Sequence, residues 1–144
     1  MNRIYLAASF GRQAEMRQRR IDLADRGFLC CSRWLDAKSD DDGLFSQPSS
    51  HELAKAAMDD IEDIFRADYF CLFSEAQDSL LRRGGRLVEF GIALACLPMP
   101  RIHVVGRRET IFHQAEGVKV HKTFGACLDV LTQQLKSDLR RRAS

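Results

Sequence analysis

Tyr69-Phe70-Cys71-Leu72-Phe73, a short polar loop, and then Gly84-Gly85-Arg86-Leu87-Val88-Glu89-Phe90-Gly91 decide the fold. The first run is apolar throughout, as a strand buried on both faces requires. The second leads into Ile92-Ala93-Leu94-Ala95 and reads as the start of a helix. A strand followed by a loop and a helix is half of a βαβ unit. Open α/β sheets bind ligands at the carboxyl edge of their strands, where such a helix begins. On this reading Glu89 falls in the helix's first turn. That turn favours negative charge, so Glu89 is expected to stay ionised near neutral pH. An ionised, oriented carboxylate can attack a sugar carbon. The plainer alternative, an acid that only complements the helix dipole, stays open at this point.

Working outward, strands and helices alternate. Strands are expected at Arg3 to Ala8, Phe28 to Trp34, Tyr69 to Ser74, Arg101 to Val105 and Val118 to His121. Helices are expected at Gln13 to Arg26, His51 to Ala67, Gly85 to Cys96 and Phe124 to Leu135. Gly27 suits the end of the first helix, and Ser49 and Ser50 can cap the second. Ala37 to Ser50 reads as a polar loop. Helices between strands imply an α/β fold with a doubly wound parallel sheet of about five strands. Residues 1–136 read as a single domain and 137–144 as a basic tail.

Composition narrows the classes. The chain has 144 residues, 45% hydrophobic and 29% charged, which suits one globular domain with a real core. Arg140, Arg141 and Arg142 supply three positive charges of a net +2, so the body is close to neutral. Such a tail is expected to be solvated and disordered. The body lacks the basic face with interleaved aromatics that nucleic-acid binding needs. No apolar run approaches the ~20 residues of a membrane span. The N-terminus enters a strand directly, without a signal peptide in view, so the chain reads as cytoplasmic. Cys30, Cys31, Cys71, Cys96 and Cys127 lack metal-ligand spacing and read as reduced, mostly buried residues. His51, His103, His113 and His121 are not spaced as a zinc set, and mid-strand His103 reads as a packed residue. Asp40-Asp41-Asp42-Gly43 reads as a solvated turn, since it lacks the other ligands of a calcium loop. No metal or redox cofactor is implied.

A second carboxylate stands out. Leu53, Ala57, Asp60 and Ile64 share one helical face, widened by Ile61. Asp60 thus holds a position the pattern reserves for an apolar side chain, while Asp59, Glu62, Asp63 and Arg66 fall on more exposed faces. A partly buried carboxylate has a raised pKa, which suits a general acid. An aspartate that caps a loop or pairs with an arginine is the alternative. Glu89 and Asp60 together match the division of labour in glycosidic cleavage, where one group protonates the leaving group and the other attacks or stabilises the sugar cation. The junction Tyr5-Leu6-Ala7-Ala8-Ser9-Phe10-Gly11-Arg12 is not a Gly-x-Gly-x-x-Gly loop, which disfavours a dinucleotide oxidoreductase. It does put a hydroxyl at a helix N-terminus, where phosphate can bind. Arg82, Arg83 and Arg86 precede the third helix at the same edge, and two arginine-bearing junctions suggest an anionic substrate.

Three segments in this order carry a family resemblance: Ile4-Tyr5-Leu6-Ala7-Ala8-Ser9-Phe10, Asp60-Ile61-Glu62-Asp63-Ile64-Phe65-Arg66-Ala67-Asp68 and Gly85-Arg86-Leu87-Val88-Glu89-Phe90-Gly91-Ile92-Ala93-Leu94-Ala95. From Ile4 to about Phe124 the chain resembles the nucleoside 2-deoxyribosyltransferases, a family that includes the 2′-deoxynucleoside 5′-phosphate N-hydrolases. The resemblance implies a flavodoxin-like (Rossmann-like) sheet and a homodimer or larger homo-oligomer, with neighbouring subunits completing the pocket. It implies that Glu89 is the nucleophile of a glycosyl-enzyme intermediate, that Asp60 moves a proton to the base, and that Tyr5 holds the nucleophile and sugar. The implied activity is cleavage of the N-glycosidic bond of a 2′-deoxynucleoside or its 5′-monophosphate, with transfer to another base or to water, as in nucleotide salvage.

Two departures bear on the substrate. Gly85 matches the first glycine of the family's Gly-x-Gly, but Leu87 stands at the second. Arg83 stands where free-nucleoside transferases carry an aspartate and phosphate-using hydrolases a serine, and an arginine fits phosphate better than a bare hydroxyl. Asp78 and Ser79 are the alternative occupants of that position. Trp34 either stacks on a base or closes the core edge. The candidate substrate-binding residues are therefore Ser9, Phe10, Arg12, Trp34, Asp78, Arg83, Gly85 and Arg86. A non-catalytic nucleotide-binding module on the same fold, with Glu89 on the ribose hydroxyls, is the rival reading.

Overall fold

The computed structural model describes residues 2–37, 48–79 and 84–144. The triple-aspartate turn, Arg82 and Arg83 lie outside them. Five strands among the described residues, β1 (Arg3–Ala7), β2 (Leu29–Cys30), β3 (Tyr69–Phe73), β4 (Arg101–Val105) and β5 (Val118–His121), form one sheet. All pairings are parallel, in the order β2-β1-β3-β4-β5. This is a flavodoxin-like, doubly wound order, and its direction reverses between β1 and β3. The crevice at that reversal opens at the carboxyl ends of the two strands.

Among the described residues four α-helices cover the sheet: α1 (Gln13–Ala24), α2 (Ser50–Arg66), α3 (Gly85–Ala95) and α4 (Phe124–Ala143). Alternation along β1 and β3 splits the core in two. Ile4, Leu6, Tyr69, Cys71 and Phe73 pack under α1 and α4 with Met16, Leu23, Leu128 and Leu131. Tyr5, Ala7, Phe70 and Leu72 face the other way, with Ile64 of α2 and Phe90 and Ala93 of α3. Every residue of β3 is buried, as its unbroken apolar run predicts.

Three elements differ from the sequence reading. The expected strand Phe28 to Trp34 is only two residues long, and Arg33–Asp36 is a 3-10 turn. Side chains end the ladder. Ser32 Oγ takes the Leu6 N–H at 2.8 Å, and the Trp34 indole N–H donates to the Leu6 carbonyl at 2.8 Å. A continuing strand would need both groups. In α2 the expected core stripe is half open: residues 50–58 are all exposed, Leu53 by 57%, and Asp63 and Ile64 are the buried residues. Asp63 therefore faces inward, contrary to its expected place on an exposed face. Its N-terminus is capped as expected, by a reciprocal Ser49–Glu52 box.

The basic tail is not disordered. α4 runs through to Ala143. Asp138 anchors this last stretch, accepting from Tyr69 Oη at 2.7 Å and from Arg101 Nη2 at 2.6 Å. Arg140, Arg141 and Arg142 ride on that helix as exposed residues and favour its C-terminal end. Among the described residues no helix is long and apolar enough to cross a membrane.

Candidate active site

Tyr5, Asp60 and Glu89 converge on the face of the sheet under α2 and α3. Tyr5 sits mid-β1, fully buried, its ring stacked on Phe70 with centroids 5.6 Å apart. The helix α3 leaves the carboxyl end of β3, so its early turns lie over the crevice. The helix α2 packs beside α3 and brings Asp60 alongside. The Tyr5 hydroxyl interacts with both carboxyl groups. Neither it nor Glu89 Oε2 makes a hydrogen bond of normal geometry, although both atoms are buried. Buried polar atoms without partners are uncommon and costly. The two atoms lie close to one another and keep hydrogen-bonding capacity that no other protein group takes up.

The position of Glu89 corrects its expected charge. It is the fifth residue of α3, whose first turn contains no acid. The helix-terminus effect fades beyond that turn. Burial instead pushes the Glu89 carboxyl up to about 8, helped by the nearby charge of Asp60. Burial also raises Asp60, to about 6, with the charge of Asp63 as the next cause. The Asp60 direction is the one expected from its place in the helix. Both shifts are upward, so the pair holds about one proton between its two carboxyl groups near neutral pH. Burial, followed by the charges of Glu89 and Asp60, raises the Tyr5 phenol still further above its ordinary value, so Tyr5 stays neutral and can donate.

Two aromatic rings lie at the carboxyl end of β1. Phe10 is 45% exposed, and its ring centroid is 6.2 Å from that of Trp34. Trp34 is half-buried and packs against both cores. Its indole is fixed by the bond to Leu6, so it closes the core edge while keeping one side toward Phe10.

The expected anion-binding residues divide. Ser9 is buried and precedes the Phe10–Arg12 3-10 turn. Arg12 is committed within the chain: it pairs with Glu15 at 2.7 Å and Glu75 at 3.4 Å, and donates to the Ser74 carbonyl at 3.0 Å. Arg86 is buried rather than edge-exposed, and its Nη2 meets Glu109 at 2.7 Å. Its Nε and Nη1 have no partner. Asp78 is an exposed loop residue, and Gly85, the first residue of α3, has open space around it. Arg83 lies outside the described residues.

The structure adds residues that sequence reasoning passed over. Glu75 lies two residues past the end of β3, a sheet-edge position that could have flagged it. Glu109 accepts from the Glu75 N–H at 3.2 Å and from Arg86, tying the loops after β3 and β4 together. His113 is buried against Phe90, with centroids 4.8 Å apart, and its Nε2 has no partner. Burial holds its pKa below the ordinary value. Glu109 lies in an irregular segment without a local signal, and His113 lies in a short 3-10 turn, Ile111–Gln114, that sequence periodicity does not mark.

No protein-family model and no curated protein sequence matches the chain. Among solved structures it resembles the CMP N-glycosidase BcmB of Clostridium botulinum, with a TM-score of 0.55 and 19% identity. The match covers 90% of this chain and 98% of that one. At that identity the likeness is one of fold, and it agrees with the flavodoxin-like order of the sheet.

Proposed function

We propose that the protein is an enzyme that cleaves the N-glycosidic bond of a nucleoside, in the first instance a 2′-deoxynucleoside or its 5′-monophosphate. The observation that carries this reading is the Glu89–Asp60 pair, coupled around the unpartnered Tyr5 hydroxyl at the crevice where the sheet order reverses. The fold likeness to a CMP N-glycosidase is consistent with it.

The proton inventory defines the order of events. In the empty site Glu89 and Asp60 share one proton. Substrate binding moves that proton to Asp60, which leaves Glu89 charged and Asp60 ready as an acid. Glu89 then attacks C1′ as the C1′–N bond breaks. The bonding electrons go to the base nitrogen, which receives the Asp60 proton. Water, or a second base, attacks C1′ of the glycosyl-enzyme. Glu89 departs as carboxylate and Asp60 recovers a proton. Tyr5 acts as a positioning residue, donating to Glu89 once it is charged. The base lies against Phe10 and Trp34.

Arg86 supports a 5′-phosphate, since Glu109 engages only one of its guanidinium nitrogens. The exposed apolar side chains Leu53, Met58 and Phe65 on α2 and Val88 on α3 support a homo-oligomer. The protein should be incubated with the common nucleosides, 2′-deoxynucleosides and their monophosphates, CMP and dCMP included. Chromatography then reads free base and sugar, with and without a second base. Release of base that Glu89→Gln abolishes supports the reading. Tight binding without turnover for every substrate would replace it with the nucleotide-binding module.

A further inference from the structure

The opposite face of the sheet holds a second cluster of chemistry-bearing side chains. His103 in β4, His121 at the end of β5 and Cys127 in α4 are far apart in sequence. Their donor atoms all lie within 4.8 Å of one another. His103 and Cys127 are buried and His121 is half-buried. His103 Nδ1 and His121 Nε2 are 2.9 Å apart. On its other side, His103 Nε2 is 2.9 Å from Gln134 Oε1. That oxygen can only accept, so His103 carries its proton on Nε2 and turns the lone pair of Nδ1 into the cluster. A metal-ligating histidine is usually held in this way, by an acceptor on its remote nitrogen.

We propose that His103, His121 and Cys127 bind a transition-metal dication, zinc by the nature of the donors, with Gln134 as the supporting residue. Two imidazoles and a thiolate are a recurrent zinc donor set, with a fourth position left for water. Bond lengths of about 2.0–2.3 Å place the donors of a tetrahedral site about 3.3–3.6 Å apart. The histidine pair must open by about 0.4 Å to reach that spacing, and separations within the set of up to 4.8 Å must close to it, changes that side-chain rotations have to supply. Without metal, the His121 Nε2–H donates to His103 Nδ1. The ion takes that proton's place, His121 moves its proton to Nδ1, and the Cys127 thiol releases one proton to solvent.

A cleft of about 580 Å³ borders the cluster on the side of Gln134 and is lined by His103 and Gln134. Lys119 and Arg141 also line it. These cations repel a hard ion held mainly by charge, such as magnesium, and leave affinity to the soft donors. A bound ion would tie α4 to β4 and β5 on the face away from Glu89 and Asp60.

Cobalt substitution tests the site. Titrating the full-length, reduced protein with Co²⁺ should saturate at one equivalent. It should give the visible bands of a tetrahedral ion and a near-ultraviolet thiolate-to-cobalt band, both displaced by Zn²⁺. Cys127→Ser should abolish the thiolate band, and Gln134→Ala should weaken binding by about 10- to 100-fold. Circular dichroism would confirm that each variant is folded. Absence of the thiolate band in the wild-type protein would overturn the proposal whatever the variants do. So would a band that persists in folded Cys127→Ser.

Discussion

Asp63 holds Arg33 at two points: its carboxylate accepts the Arg33 backbone N–H at 2.9 Å and the Nε–H at 2.8 Å. The grip fastens α2 to the 3-10 turn that carries Trp34. It also fixes a negative charge one helical turn from Asp60, and that charge helps to raise the Asp60 carboxyl. Asp63→Asn removes the charge but keeps an acceptor. The acid limb of the kcat/KM profile should then move to lower pH, and Tm should fall because Arg33 loses its buried counter-charge. An unmoved acid limb would separate Asp63 from the chemistry.

The wild-type profile itself should be bell-shaped. Activity requires one proton on the carboxyl pair. It should fall below about pH 6, where both groups are protonated, and above about pH 8, where both are ionised. Rates measured from pH 5 to 9 in buffers of constant ionic strength would show it. A profile flat across this range would remove the shared proton from the mechanism.

Glu89→Gln should cost several orders of magnitude in kcat while leaving the fold intact. A variant keeping more than about a tenth of the wild-type kcat would exclude Glu89 as nucleophile. Stability gives an independent reading. An unfolded glutamate titrates near ~4.3, whereas burial pushes Glu89 up to about 8. The folded state therefore binds this proton more tightly than the unfolded chain. The stability linked to the proton is complete below the unfolded pKa and is lost as pH rises through the folded one. Glutamine never ionises, so the Tm advantage of Glu89→Gln should grow between pH 5 and 9. Calorimetry at the two ends of that range measures the difference.

Asp60→Asn should slow substrates with poor leaving bases more than those with activated bases. General-acid help is typically worth about 10²- to 10⁴-fold and matters most for basic leaving groups. Equal slowing across a series of bases would assign Asp60 a structural role.

If Arg86 faces a 5′-phosphate, the monophosphate should be preferred over the free nucleoside by at least about tenfold in kcat/KM, since a charge-assisted hydrogen bond contributes roughly 1.5–3 kcal/mol. Arg86→Gln should lower that ratio. Because the ratio is taken within one variant, a loss of folded protein from breaking the Glu109 pair cancels. Equal values for the two substrates in the wild type would move the reading toward free nucleosides.

The apolar runs by themselves determined the architecture. β4 and β5 begin and end where their patterns do, and the unbroken run of β3 predicts burial on both faces. The helices between the strands require a parallel, doubly wound sheet. Order and spacing of three short segments also drew Tyr5, Asp60 and Glu89 together. What the tertiary structure decided was environment. β2 stops early because Ser32 and Trp34 side chains take the backbone groups of Leu6. Local periodicity put Asp60 inside and Asp63 outside on α2, but Arg33 from the neighbouring turn draws Asp63 inward. A helix start was expected to keep Glu89 charged, yet it lies in the second turn, and packing around it favours the proton. His103, His121 and Cys127 have no common spacing and meet only because β4, β5 and α4 pack together. Hydrophobic periodicity is a property of neighbours along the chain, and so it is legible in one dimension. Protonation and ligand geometry depend on which distant groups exclude water or share a field, and those relations exist only once the chain has folded.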